Sequence, residues 1–339
     1  NVAIIYFSIY FIVIFSLKES EYFLFISNLF HLLVPLFSFL LLLIPISRTK
    51  DQVRLFWCFM AAGTLAYFIG HLIWTYYELL LHQISPFPSW ADLFYLLHIL
   101  FYFTGFIYLY LISAIRKRVV FLLDVIILLL IVAFVGWGLF IEPLVVSNMF
   151  SNYLALTITL AYPVGDIALL FGMLYLFLYS PKLLSQRSLM FIQCGLLSQV
   201  VGHILYLLFT IQGTYVSGSW IDLFFSIALF LIAYSSLFVE KRNYTKGSVS
   251  IVRVNKLQNI RIAFPYIIAA ILLVTLFIYE QSYTNVILIG VLLTIILLLI
   301  RTLVGKYTLN LALKEIKLLN NRMSSELQLA KSVQQSVLP

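Results

Sequence analysis

The strongest constraint in this sequence is a repeated one: apolar stretches of roughly membrane-spanning length, separated by short polar loops. A helix needs ~20 apolar residues to cross ~30 Å of hydrocarbon. Such stretches fall at 2–17, 22–46, 55–80, 91–115, 119–141, 150–179, 188–211, 220–239, 263–279 and 284–304. The expectation is an all-α polytopic membrane protein with about ten transmembrane helices. Composition agrees, because 10% of the 339 residues are charged and 63% are hydrophobic, whereas soluble domains carry roughly one quarter charged residues. Val2 to Ser16 has neither a basic leader nor a small-residue cleavage site, so it reads as a transmembrane helix and not as a signal peptide. The sixth stretch is too long for a straight crossing and contains Pro163, which predicts a kink, a break or a strong tilt.

The net charge of +8 belongs to topology. Basic residues occupy alternate loops: Arg48, Lys50 and Arg54; Arg116, Lys117 and Arg118; Lys182 and Arg187; Lys241 through Arg261; Arg301 with Lys306. The positive-inside rule then places both termini in the cytoplasm and leaves Lys18, of 21 Lys and Arg residues, on the outer side. This is the pattern of a multi-pass protein of the bacterial inner (plasma) membrane, surrounded by lipid. The basic residues never gather on a polar domain, so no nucleic-acid partner is expected. Cys58 and Cys194 sit in apolar helical stretches without metal-ligand spacing, which argues against a disulfide framework and a zinc site. The outer loops are too short to form a domain, so an external signal must be read by the helices or the turns between them.

Two stretches match each other. Gly70-His71, with Trp74 and Glu78, leads to Ser89-Trp90-Ala91-Asp92-Leu93-Phe94; Gly202-His203, with Tyr206 and Thr210, leads to Ser219-Trp220-Ile221-Asp222-Leu223-Phe224. Both copies run outward and return, which predicts a parallel internal repeat with halves at about 55–179 and 188–304. In Ser-Trp-x-Asp, Ser89 and Ser219 stand at N-cap positions with Asp92 and Asp222 three residues on, a capping-box spacing. Trp90 and Trp220 then serve as interfacial anchors. Capping leaves the histidines unexplained. His71 lies about 15 Å along its helix from the outer end, and ionisable groups at such depth usually face a bundle interior or a wet cavity.

His71, Trp74 and Glu78 share one helix face, as do His203, Tyr206 and Thr210. Asp166, in Tyr162-Pro163-Val164-Gly165-Asp166, adds a carboxylate near mid-membrane. His71, Trp74, Glu78, Asp166, His203 and Tyr206 are therefore the ligand-sensing candidates, with interhelical hydrogen bonding as the plainer alternative. Asp124, at the cytoplasmic end of the fifth stretch, is expected to pair with the basic residues at 116–118. A retinal-type receptor needs an intramembrane lysine, and every lysine lies in a loop or in the tail. A haem-linked redox sensor joining His71 to His203, and a transporter or lipid-handling protein using Pro163-Val164-Gly165 as a helix break, remain as alternatives.

From Gly305 onward Leu309, Ala312, Ile316, Leu319, Met323, Glu326, Ala330, Val333 and Val337 alternate in steps of three and four, a heptad seam. The linker at 305–335 is expected to be a parallel coiled coil continuing the last transmembrane helix, which implies a homodimer. The alternative is an amphipathic helix packed on its own chain. The end of the chain, through Glu326, Leu327, Ala330, Val333, Gln334, Val337, Leu338 and Pro339, resembles the helix that leads into bacterial PPM-type serine/threonine phosphatases of the SpoIIE and RsbU group. That helix reads roughly E-L-x-x-A-x-x-[IV]-Q-x-x-[LV]-L-P.

The resemblance implies that 336–339 opens a catalytic domain whose metal-binding aspartates lie beyond Pro339. It also implies Mn²⁺- or Mg²⁺-dependent dephosphorylation of a phosphoserine on a protein partner. Residues 1–339 then contain no catalytic residue, cofactor or metal ligand of their own. The membrane region, through Tyr162–Asp166 and Pro88–Asp92, also looks like the multi-helix sensors that precede bacterial diguanylate cyclase domains. The expectation is a receptor formed by a transmembrane sensor at 1–304, signalling through the linker to a phosphatase.

Overall fold

Hydrocarbon offers no partner for backbone N–H and C=O groups, so a chain with this pattern satisfies them within helices. The computed structural model describes residues 2–17, 20, 22–49, 51–83, 86–112, 118–136, 153–179, 184–239, 266, 270 and 284–337. All regular structure among these residues is helical. The elements are α1 (Val2–Ser16), α2 (Phe23–Arg48), α3 (Asp51–Thr75, continued by a π-helical turn at Tyr76–Leu80) and α4 (Trp90–Ile112). There follow α5 (Arg118–Gly136), α6 (Tyr153–Tyr179), α7 (Gln186–Ile211), α8 (Asp222–Tyr234, closed by a 3₁₀ turn at Ser235–Phe238) and α9 (Thr284–Val337).

Among the described residues five helical runs are long and apolar enough to cross a membrane: Phe23–Arg48, Val53–Leu80, Trp90–Ile112, Gln186–Thr210 and Leu288–Ser336. The apolar stretch at 263–279 lies outside the described residues except for positions 266 and 270. Position 163 does not break its helix, since α6 is assigned as one α-helix from Tyr153 to Tyr179. The irregularity falls instead at the end of α3, where Leu81 N–H donates to Tyr76 five residues back and Glu78 is buried within the widened turn.

Six helices close a ring. In order round it, α2 packs on α3, α3 on α4, α4 on α6, α6 on α7, α7 on α8, and α8 returns to α2. Outside the ring, α1 lies on α2, α5 lies on α6, and α9 lies on α5. Glycines spaced seven apart let the backbones of this ring approach. On α3, a Cβ at Gly63 would stand 3.1 Å from the His98 carbonyl oxygen, and one at Gly70 would stand 3.1 Å from that of Ala91. On α7, a Cβ at Gly195 would meet the Ala228 carbonyl oxygen at 2.8 Å, and one at Gly202 would meet the Phe224 side chain at 3.0 Å.

The ring is divided along its axis. At the end that carries Arg48, Arg54 and Arg187, its interior is apolar, with Leu42, Phe56, Trp57, Phe106, Leu169 and Ile192 buried together. At the opposite end the buried side chains are polar, including Asn28, His31, His71, Glu78, Asp92 and Asp222. Pro45 in α2 cannot donate to the Leu41 carbonyl, and Ser236 Oγ fills that gap from across the ring at 3.0 Å.

α9 is one uninterrupted helix of 54 residues, about 81 Å long at 1.5 Å per residue. Its first part packs on α5, where Gly290 faces the Phe134 side chain. Arg301 Nε donates to Asp124 Oδ1 at 2.8 Å, and the guanidinium lies over the Tyr266 ring at 5.5 Å. Asp124 is thus paired with Arg301 of α9, while the expected pairing with 116–118 involves side chains outside the described residues. From Leu313 to Ser336 every residue is exposed, so the tail does not fold back on the described chain.

Replacing Gly195 by leucine tests the close packing. The added carbons meet a backbone carbonyl that cannot rotate away, so α7 and α8 must separate. Overpacking of this kind costs about 1–3 kcal/mol, and thermal unfolding in detergent should show Gly195→Leu well below wild type, with Gly305→Leu as a control for open space.

Candidate functional site

The polar end of the ring is built from side chains that the apolar pattern alone would not place together. On α4, Ser89 Oγ accepts from Ala91 N–H at 3.2 Å, and Asp92 Oδ2 accepts from Ser89 N–H at 2.7 Å, a reciprocal capping box. The other oxygen, Asp92 Oδ1, accepts from Tyr162 of α6 at 2.7 Å, so the cap also joins two ring helices. The second Ser-Trp-x-Asp differs. Asp222 Oδ2 accepts from Gly218 N–H at 2.8 Å, and the Ser219 hydroxyl has no hydrogen-bond partner among the described residues. The Ser219 hydroxyl thus caps nothing among the described residues, while its carbonyl accepts from Asp222 N–H at 3.1 Å. Trp90 and Trp220 are both exposed at the helix starts.

Gly218 needs its glycine on two counts. Its φ of +83° is in the left-handed region, and a Cβ there would collide with Ser27 of α2. This seats the 212–221 loop inside the mouth of the ring. Tyr215 donates to Asp222 Oδ1 at 2.9 Å, while Ser217 donates to Glu78 Oε2 at 3.0 Å. Burial, and then the neighbouring Asp222, hold the Tyr215 phenol well above its ordinary pKa, which keeps it a donor. Glu78 Oε2 also accepts from Asn28 Nδ2 at 2.8 Å, and Asn28 Oδ1 in turn accepts from Thr75 at 3.1 Å.

Four histidines lie within the ring. His31 of α2 shares a hydrogen bond with Ser226 at 3.0 Å, stands 3.8 Å from Asp222 Oδ2, and has its ring 5.4 Å from that of His71. His71 Nδ1 lies 3.3 Å from the Tyr95 hydroxyl. His98 Nδ1 lies 3.0 Å from the Gly63 carbonyl, an acceptor, so Nδ1 carries the proton and Nε2 accepts from Gln199 Nε2 at 2.8 Å. His203 Nδ1 stands 2.6 Å from Asp166 Oδ1.

Of the candidates named from sequence, His71 and Glu78 thus fall within one cluster with α2 and the 212–221 loop. Asp166 and His203 form a separate pair between α6 and α7. No contact joins His71 to His203 among the described residues. Tyr206 packs edge-on against Tyr215 at 4.7 Å. Trp74 is partly exposed and takes no part in these hydrogen bonds. Sequence reasoning passed over His31, Asn28, His98, Gln199, Tyr215 and Ser217. An intramembrane histidine is a functional candidate in its own right, which was signal enough for His31 and His98; nothing in the pattern marked Tyr215 or Ser217.

Among the described residues no lysine or arginine lies within ion-pair distance of Glu78, Asp92, Asp166 or Asp222. No group of three or more His, Cys, Asp or Glu residues suited to a metal ion occurs among them either. The site is thus a buried, carboxylate-rich network satisfied by neutral donors and imidazoles, suited to binding or proton exchange. No protein-family model, curated protein or solved structure matches the chain.

The two Ser-Trp-x-Asp turns give unequal mutants. Ser89→Ala removes a cap and should cost about 0.5–2 kcal/mol, whereas Ser219→Ala should fall within about 0.5 kcal/mol of wild type. Paired thermal or denaturant unfolding of the two variants checks the difference.

Proposed function

We propose that this chain is a signal-relaying membrane module, a receptor whose polar ring end senses and whose α9 reports. The observation that carries the reading is the single helix running from the Arg301–Asp124 contact to an exposed heptad seam. A helix without a break passes rotation or translation at one end to the other. A transporter has no use for a tail that stands clear of its bundle.

In this reading ten helices cross the bacterial inner membrane with both termini cytoplasmic, as the alternating basic loops favour. The module contains an internal repeat. The ring order favours a repeating unit of three helices, α2–α4 and α6–α8, and the glycine pairs at 63/70 and 195/202 support it. Contacts also correspond: α2 meets α3 through His31 and His71, and α6 meets α7 through Asp166 and His203. Asp222 approaches His31 of α2, and Asp92 bonds to Tyr162 of α6.

The seam pairs two copies of the chain as a parallel coiled coil, and Leu309, Ile316, Leu319, Met323 and Val333 are exposed as that pairing needs. The output is a PPM-type serine phosphatase using Mn²⁺ or Mg²⁺ on a phosphoprotein, a proposal supported by the resemblance at 326–339. A signal acts by favouring one of two arrangements of α9, which requires different affinity for each.

Single cysteines, introduced after replacing Cys58 and Cys194, test the dimer. Oxidative cross-linking in membranes is expected at Leu319→Cys and Met323→Cys and absent at Asn321→Cys and Gln328→Cys on the opposite face. Equal yields at all four, or none, would overturn the coiled coil. The coding sequence downstream of Pro339 checks the phosphatase directly: acidic metal-binding motifs are expected there, and a stop codon would sink that assignment.

A further inference from the structure

Glu78 and Asp222 come from opposite sides of α2, yet adjacent residues of one loop bond to both, Ser217 to Glu78 and Gly218 to Asp222. The two carboxylates are therefore close neighbours, buried, and supplied only with neutral donors. Two uncompensated charges in such a place are expensive, and among the described residues no lysine or arginine pairs with either. Beside the carboxylates, His31 Nε2 and His71 Nε2 are buried without a hydrogen-bond partner among the described residues, and the Tyr10 hydroxyl lies with that of Ser27. His31 and His71 are only 7% and 9% exposed, and His31 Nε2 points toward Asp222 at 3.8 Å. The Tyr10 ring stands edge-on to His31 at 5.2 Å and adds an aromatic wall.

We propose that this wedge between α1, α2, α3, α8 and the 212–221 loop is a binding site for a primary ammonium group. An ammonium carries three N–H donors and one positive charge, which matches two carboxylates and the unpartnered ring nitrogens of His31 and His71. Divalent transition metals are a poorer fit, since no cluster of three suitable ligands forms here. The ammonium is supplied by a small amine in solution or by an amine-bearing lipid headgroup. Binding draws Glu78 and Asp222 onto the guest, so Ser217 loses its place and the loop shifts. This gives the proposed receptor its ligand class and rests on that reading only for the consequence at α9.

The full chain in phosphatidylcholine nanodiscs is titrated with methylammonium chloride while thermal unfolding is recorded, with potassium chloride at matched ionic strength. A second arm replaces part of the lipid with phosphatidylethanolamine and omits the free amine. The expected result is a rise of several degrees in unfolding temperature in at least one arm, and that arm identifies the source. Glu78→Gln and Asp222→Asn should each raise the half-saturating amine or lipid fraction by about ten-fold or more, as loss of a charge-assisted contact implies. The carboxylates lie on different helices, so either variant suffices if the other fails to fold. No shift in either arm, an equal shift with potassium, or an unchanged response in the folded variants would overturn the site. Stabilisation by amine without any change in cross-linking at residue 319 would retain the site and count against the receptor reading alone.

Discussion

A polar side chain inside a membrane has no water to fall back on, and the six-helix ring is arranged around that fact. Polar groups at its mouth bond to other helices or to the 212–221 loop. Those partnerships fix which helices meet: Asp92 with Tyr162, Glu78 with Asn28, and His98 with Gln199. Such hydrogen bonds are individually modest, about 0.6 kcal/mol on average in membrane proteins. Their value here lies in specificity, because a helix rotated by one residue would strand several of them at once. The apolar end fills its space with aromatic and aliphatic bulk.

The route from that ring to the tail is indirect. α9 packs on α5, and α5 packs on α6, the helix that carries Asp166 and the phenol bonded to Asp92. A displacement at the ring mouth thus has a packed path to Arg301 through two helix interfaces. The Arg301–Asp124 contact is the polar fixed point of the last one, partly buried and geometrically defined. It joins residues 177 apart in sequence.

The helical class and most helix positions were legible from length and hydropathy, because the bilayer imposes both. The capping role of Ser89 and Asp92 was legible too, as capping is local chemistry. Its failure at Ser219 was not, since that depends on how the 212–221 loop threads under α2, where Gly218 meets Ser27. Asp124 shows the same limit: its partner Arg301 lies 177 residues away, a pairing that no local pattern announces. The π turn that buries Glu78 leaves no mark in hydropathy, because it inserts one residue into an otherwise regular helix. The ring order is also invisible to a one-dimensional pattern. It follows from glycine faces at 63/70, 165/172 and 195/202 that each admit a particular neighbour.

α9 has one more property that follows from its having no joint. Each residue added to an α-helix advances the phase by 100°. The angular relation between Arg301, held on α5, and the apolar face that begins at Leu309 is therefore set by a count of residues alone. One residue inserted between them would turn that face to the far side of its axis by more than a quarter turn. Seven would restore it to within about 20°. The tail is thus a shaft whose timing is written in its length.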